Sequence, residues 1–243
     1  MGILRVLAIV CVVLLVVSYP VYGDDSLPST ESEIDANTEV KEDLTKLNVT
    51  DLVYLDVLIN GLQAHRQKVV IGLFGDVVPK TVRNFVRLAA NKKKGKTYKH
   101  TNIHKVKKGT GIFGGDVVYG NGTGVYSIFG KYFADENFKL EHYGAGWVSM
   151  VNHGKVKNGC QFLITTSETY WLNGKQVVFG KVLKGMERVQ LVESILPDDL
   201  GRPTIHVEIA NSGKLKMKKK LTVKLEPDDD VEGFITENTK DEL

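Results

Sequence analysis

The sequence predicts a mainly β fold, an antiparallel barrel or sandwich capped by two helices. Several short runs rich in apolar and β-branched residues lie between residues 53 and 210, separated by glycine-rich or polar segments. Two other segments repeat their apolar residues at helical spacing. The predicted elements do not alternate strand with helix, so a doubly wound nucleotide-binding fold is disfavoured.

The first predicted elements form a hairpin followed by a helix. A strand at residues 53–59 ends in Asn60-Gly61, a dipeptide typical of hairpin turns. Pro79 fits the first position of a helix, where its missing N–H costs nothing, and apolar residues then recur at helical spacing from Val82 to Ala89. The other predicted elements are strands at 68–74, 147–151, 161–165, 177–182 and 206–210, and a helix at 184–194.

Charge is distributed unevenly along the 243 residues, although the net charge is only +3. Residues 24–51 contain nine acidic and two basic side chains, and residues 226–243 contain eight acidic side chains and one basic. Residues 52–225 contain 28 basic and 12 acidic side chains, so a basic body separates two acidic ends. We predict a signal peptide at 1–23, an acidic disordered arm at 24–50, a barrel domain at 51–215 and a basic-then-acidic tail at 216–243.

The N-terminal residues resemble a secretory signal peptide. Arg5 is their only charged residue, and an apolar run of twelve residues follows at 6–17. Residues 21–23 end in a small residue and match a signal-peptidase cleavage site. The run is short for a membrane span, which needs about 20 residues. The alternative, an uncleaved anchor, is disfavoured by the polar segment that follows. We expect no membrane span once the signal is removed.

The chain ends in Lys240-Asp241-Glu242-Leu243, the signal that retrieves soluble proteins to the endoplasmic reticulum. Together with the signal peptide, it predicts a protein of the endoplasmic reticulum lumen that the KDEL receptor binds.

Cysteines and glycosylation sequons bear on the same compartment. Cys11 leaves with the signal peptide, so Cys160 is the only thiol and cannot form an internal disulfide. It is either a buried inert thiol or the site of a mixed disulfide with a partner. Asn48 and Asn121 each begin a sequon for N-glycosylation.

Two sequence patterns suggest a dinucleotide site and a metal site, but the residues around each pattern do not fit such a site. Residues 109–114 match the pattern GxGxxG, with Asp135 about twenty residues further on, but the glycines that follow exclude the helix that a dinucleotide site requires. His100 and His104 have a spacing that binds a metal on a helix, but lysines flank them and no carboxylate or thiol is near. We expect no metal and no cofactor.

Eight lysines lie within 17 residues, and this cluster has two interpretations. It is either a solvated loop or a surface for an acidic partner. Tyr98 is the only aromatic residue among them, so nucleic-acid binding is not expected. The lysines are Lys92, Lys93, Lys94, Lys96, Lys99, Lys105, Lys107 and Lys108.

Several blocks of the body, in order, resemble the cyclophilin family. The resemblance runs from about Val53 to Lys214 and implies an eight-stranded antiparallel barrel with two capping helices. Together with the targeting signals, the chain is similar to the cyclophilin B branch of the family, which works in the secretory pathway. The blocks lie at residues 74–85, 113–116, 121–124, 133–138, 149–152, 158–162 and 171–182.

The resemblance implies peptidyl-prolyl cis–trans isomerisation of proline-containing client polypeptides. The family supplies an Arg, a Gln and an Asn to the twisted amide, and an apolar pocket beside a His and a Trp. This chain retains His104, Asn152, Gln161, Trp171 and Leu172. It departs from the family pattern, without a gap, at Lys105 (Arg), Thr110 (Phe), Gly111 (Met), Phe113 (Gln), Leu163 (Phe) and Gln176 (His).

These departures predict an isomerase whose activity is weak or lost. A lysine is a flexible, strongly hydrated point charge and does not replace the planar fork of an arginine. The resemblance places catalysis at Lys105, His104, Asn152 and Gln161, and substrate binding at the remaining positions, with weak cyclosporin binding at most. The alternative is a non-catalytic, monomeric binding scaffold whose lysine-rich loop meets acidic lumenal chaperones.

Overall fold

The computed structural model describes residues 46–60, 66–91, 95–154 and 157–225. These residues form ten strands, two α-helices and a 3-10 helix at Tyr170–Leu172. The helices are α1 (Pro79–Ala89) and α2 (Met186–Glu193). The strands are β1 (Lys46–Val49), β2 (Asp51–Ile59), β3 (Arg66–Leu73), β4 (Thr101–Lys107), β5 (Gly111–Gly114), β6 (Trp147–Asn152), β7 (Asn158–Thr165), β8 (Val178–Lys184), β9 (Val207–Leu215) and β10 (Leu221–Lys224).

Eight of these strands close into a barrel in the order β2-β3-β8-β6-β7-β5-β4-β9. Every neighbouring pair whose register is resolved is antiparallel. The mainly β, eight-stranded barrel with two helices is therefore confirmed. Both predicted helices and all the predicted strands are present, with ends shifted by a few residues at most sites.

The barrel interior is filled by alternate residues of its strands. Ile112, Val148 and Ile164 belong to the main apolar core, whereas their neighbours in sequence Phe113, Trp147 and Leu163 are not part of it, as strand alternation requires. Helix α1 closes the barrel through Phe85, whose ring centroid lies 4.9–5.5 Å from those of Tyr98, Phe162 and Phe179. As predicted, Pro79 occupies the start of this helix.

The start of α1 is completed by a distant carboxylate. The backbone N–H groups of Lys80 and Thr81 both donate to Glu136, at 3.0 and 2.9 Å. This contact satisfies N–H groups that have no partner within the helix and places negative charge at its N-terminus.

The prediction that residues 24–50 are disordered is wrong for the last residues of this range. Residues 46–49 form β1, which pairs with β10 in a separate two-stranded sheet. Leu47, Val49 and Val223 are buried in a second apolar cluster with Trp147, and this burial explains why the strands form. The predicted tail likewise contains a strand. The predicted signal peptide, the rest of the predicted acidic arm and the predicted retrieval signal lie outside the described residues.

Two barrel strands occupy segments whose composition did not indicate strands. β4 lies in the lysine-dense segment and β5 in the glycine-rich one. β5 comprises the last four residues of the GxGxxG match, and the segment at 115–124 that follows contains no helix, which a dinucleotide site would need there. Among the described residues, no helix has the length and apolar character needed to cross a membrane.

Candidate functional site

A row of residues crosses the outer face of the barrel from β4 to β6. Lys105 is paired with Phe113, Phe113 with Leu163, and Leu163 with Ser149. Directly opposed residues of antiparallel strands share one face of the sheet, so these side chains are neighbours. We call this row, with the flanking segments 116–124 and 170–176, the outer-face site.

Lys105 and Phe113 contact each other within this row. The Lys105 ammonium lies over the Phe113 ring, 5.4 Å from its centroid, a distance typical of a cation–π interaction. Lys105 is exposed and Phe113 is partly buried. The charge at the position of the family arginine is therefore held over an aromatic ring that stands where the family has an amide.

Three predicted substrate-binding positions at which the chain departs from the family pattern, residues 110, 111 and 163, are buried or closed to a side chain. Thr110 and Leu163 are 4% and 0% exposed, so neither offers a free surface to a ligand in this conformation. Gly111 has φ +147°, and a Cβ built on it would lie 2.0 Å from the Ile164 carbonyl oxygen. No side chain fits at residue 111 because β5 and β7 approach too closely there.

Asp116 organises the loop that borders the site, and sequence reasoning gave it no role. Its carboxylate accepts hydrogen bonds from five backbone N–H groups, those of Val118, Tyr119, Asn121, Gly122 and Gly124. Burial alone would raise the pKa of this carboxyl, but these donors outweigh it and lower the pKa to about 2. An Asp followed by a run of Gly and Asn is the signal that could have identified this turn.

Gln161 and His104 lie against the same loop. The Gln161 amide nitrogen donates to the carbonyl oxygens of Gly122 and Gly124, at 3.0 and 2.7 Å. Burial lowers the pKa of His104, although the nearby Asp116 carboxylate opposes this shift. Gln161 is 2% exposed, so its amide is engaged in fixing the loop.

The segment after the 3-10 helix forms the other side of the site. Asn152 donates through Nδ2 to the carbonyl oxygen of Lys175 at 2.6 Å, and Gln176 accepts from the Ser149 hydroxyl at 3.1 Å. The Trp171 side chain is 40% exposed, and Leu172 is partly buried. The bond from Ser149 connects the segment to the row, because Ser149 is the last residue of that row.

The structure thus gathers the predicted site residues into two groups joined by one row. His104 and Gln161 lie beside the loop at 116–124, whereas the Lys105 side chain, next to His104 on β4, lies close to Gly201. Asn152, Trp171, Leu172 and Gln176 lie on or against the segment at 170–176. The predicted glycosylation sites Asn48 and Asn121 are both exposed.

The His100–His104 pair and Cys160 are the other sites that the sequence suggested. His100 lies in a turn and His104 on β4, so their spacing is not that of a helix. Among the described residues, no three His, Cys, Asp or Glu side chains cluster as a metal site would require. Cys160 is 0% exposed, and burial raises the pKa of its thiol.

A cleft of about 710 Å³ beside α1 shares no residue with the outer-face site. Arg83, Arg87 and Lys214 contribute positive charge to its wall, but Lys214 is paired with Asp51. None of the site residues predicted from the sequence lines this cleft, so the outer-face site remains the candidate.

Comparison with known proteins decides the family. A protein-family model described as cyclophilin type peptidyl-prolyl cis-trans isomerase matches residues 54–214. The chain belongs to the cyclophilin family. This cyclophilin is 44% identical to the peptidyl-prolyl cis-trans isomerase CYP21-1 of Arabidopsis thaliana over 74% of its own length and 83% of the relative's. It is 41% identical to the rhodopsin-specific isozyme of peptidyl-prolyl cis-trans isomerase from Calliphora vicina, over 69% and 70%.

Proposed function

We propose that this cyclophilin assists protein folding in the endoplasmic reticulum lumen, binds proline-containing polypeptides, and isomerises them weakly or not at all. The observation that carries the proposal is the contact between Lys105 and Phe113 at the β4 end of the outer-face site. The signal-peptide pattern and the C-terminal KDEL motif support the compartment. Both relatives carry the name of an isomerase, which makes isomerisation the activity to measure.

The physical argument concerns the twisted amide. Rotation about the peptide bond has a barrier of ~18–20 kcal/mol, and a catalyst lowers it by stabilising the twisted state, with a donor aimed at the prolyl nitrogen. The Lys105 ammonium is instead shared with the Phe113 ring, and a lysine holds no fixed fork of donors. The burial of Thr110 and Leu163 also removes apolar surface against which a proline ring could pack.

An isomerisation assay on a proline peptide tests this proposal. We expect a low kcat/KM for the natural protein, and an increase of about tenfold or more in the double variant Lys105→Arg, Phe113→Gln, by analogy with restoring preorganised donors. The variant Lys139→Arg makes the same exchange at an exposed lysine elsewhere and should change nothing. Fast isomerisation by the natural protein that is lost in Lys105→Ala would contradict the proposal.

A second candidate function is a non-catalytic scaffold for acidic lumenal partners. Lys99, Lys107 and Lys108 are exposed, and in the described part of the chain none of them has a carboxylate at ion-pair distance. Lys107 and Lys108 are adjacent at the end of β4 and are called the lysine surface, whereas Lys99 precedes the other end of that strand. Unpaired charges of one sign attract a partner of the opposite sign, so this surface favours an acidic peptide.

Charge reversal tests the scaffold function. We expect the pair Lys107→Glu and Lys108→Glu to weaken binding of a polyglutamate peptide by about tenfold at low salt, and added salt to reduce this difference. The matched control reverses two other adjacent exposed lysines, Lys218→Glu and Lys219→Glu. An equal loss in both pairs would indicate net charge alone, and would reject the lysine surface as the binding site.

A further inference from the structure

Asn121 is held at the edge of the outer-face site. Its backbone N–H donates to Asp116 at 3.2 Å, and the carbonyl of the next residue, Gly122, accepts from Gln161 at 3.0 Å. Gly122 also packs on the His104 ring so closely that a Cβ there would lie 2.7 Å from the ring carbon Cδ2. The position of Asn121 is therefore fixed relative to His104 and Gln161.

The Asn121 side chain is arranged so that its nitrogen is available. It is exposed, and its Oδ1 accepts from the backbone N–H of Thr123 at 3.0 Å and from the Thr123 hydroxyl at 2.7 Å. Among the described residues, its Nδ2 donates to no group. A substituent on Nδ2 would leave both Oδ1 hydrogen bonds in place, so the folded loop accommodates one.

We propose that Asn121 carries an N-linked oligosaccharide that covers the His104 side of the outer-face site. In the transfer, the bond from sugar C1 to the oxygen of a lipid diphosphate donor breaks, and a bond from C1 to Nδ2 forms. One Nδ2 proton is lost, and the lipid diphosphate is the leaving group. The inference rests on the proposed function, because a lumenal transferase reaches this sequon only in a chain that enters the endoplasmic reticulum.

The consequence is a selection by size. An oligosaccharide is bulky and solvated, and one attached at Asn121 would occupy the space beside the His104 ring, on which Gly122 packs, and would extend towards Lys105, the next residue of β4. A folded partner that presents a broad surface would meet it, whereas an extended peptide could enter along the row from the Trp171 side. The glycan would thus favour unfolded client segments over folded proteins.

The second sequon provides an internal comparison. Asn48 is exposed on β1, opposite Thr222 of β10, in the separate two-stranded sheet. This sheet contains no residue of the outer-face site. A glycan at Asn48 would therefore report entry into the lumen without covering the site.

Glycan occupancy is tested by translating the full chain with microsomes. We expect one glycan to be lost in Asn121→Gln and in Thr123→Ala, as measured by glycopeptide mass and by sensitivity to an amidase that removes N-glycans. A parallel chain with an established secretory leader in place of residues 1–23 separates the two proposals. Glycosylation only with that leader would overturn the proposed compartment and leave the acceptor site supported. An imported chain without a glycan at Asn121 would overturn the inference.

Covering of the site is tested by thiol labelling in an Asn48→Gln background. Lys105→Cys introduces a reactive thiol at the site, while Cys160 is buried and should stay unlabelled. We expect a polyethylene-glycol maleimide to react about threefold or more slowly with the glycosylated protein than after glycan removal, while a small maleimide reacts equally with both. Lys219→Cys, between β9 and β10, is the control position and should show no difference. Equal rates for the bulky reagent at residue 105 would show that the glycan does not cover the site.

Discussion

Replacing Gly111 by methionine, the residue of the family pattern, is expected to lower the free energy of unfolding by about 3 kcal/mol or more. The first side-chain carbon would already lie 2.0 Å from the Ile164 carbonyl oxygen, and the backbone has φ +147°. Strands β5 and β7 would have to separate, with loss of the hydrogen bonds between them. Urea unfolding followed by tryptophan fluorescence measures the change.

Gly109→Ala is the matched control for this replacement. Gly109 also has a positive φ, of +69°, but a Cβ there meets nothing within 4 Å. We expect it to cost only the backbone strain, about 1 kcal/mol. If Gly111→Met were as mild as Gly109→Ala, the close approach of β5 and β7 would be contradicted. For this reason the test of catalysis restores residues 105 and 113 and leaves residue 111 unchanged.

Replacing Asp116 by asparagine is expected to destabilise the protein by about 3 kcal/mol at neutral pH. The amide keeps one acceptor oxygen, but its NH₂ group would face backbone N–H donors that now point at the carboxylate. The loop at 116–124 would lose its centre, and Gln161 and His104 would lose a fixed neighbour. Thermal and urea unfolding measure the change.

The pH dependence follows from the pKa of the Asp116 carboxyl. Its pKa is about 2 in the folded protein, below the ordinary aspartate value of 3.8, so ionisation favours the folded state. This contribution, at most about 2 kcal/mol, is present above pH ~4 and is lost as the pH falls towards 2. The difference in stability between the natural protein and Asp116→Asn should therefore shrink on acidification. Asp199→Asn, at an exposed carboxylate, should show no such convergence.

The sequence predicted the elements whose local pattern is strong. Pro79 and the apolar repeat that follows it specified α1, and β-branched runs specified β2, β3, β6 and β8. The hydrophobic pattern did not predict β4 and β5, because their many lysines and glycines hide the alternation of apolar and polar residues that is typical of a strand. Only the resemblance to the family supplied them.

Long-range relations could not be predicted from the sequence. Lys46 and Lys224 are paired across the sheet, and nothing local to either residue indicates the other. The site residues were identified by their positions in the family pattern, but their burial and hydrogen bonding depend on contacts with residues distant in sequence. The Leu163 side chain is buried, and the Gln161 amide is engaged with two loop carbonyls. The central role of Asp116 likewise emerges only when the loop is folded around it.

The pairing of β1 with β10 makes the two ends of the body interdependent. Among the described strands, each has the other as its only ladder partner. Trimming the chain back to Thr50 would remove β1 and leave Leu221–Lys224 without a backbone template. The same cut would expose Val223 and part of the apolar cluster around Trp147. A protease that cuts on the N-terminal side of β2 would therefore also release β10, so cleavage at one end of the body would loosen the other end.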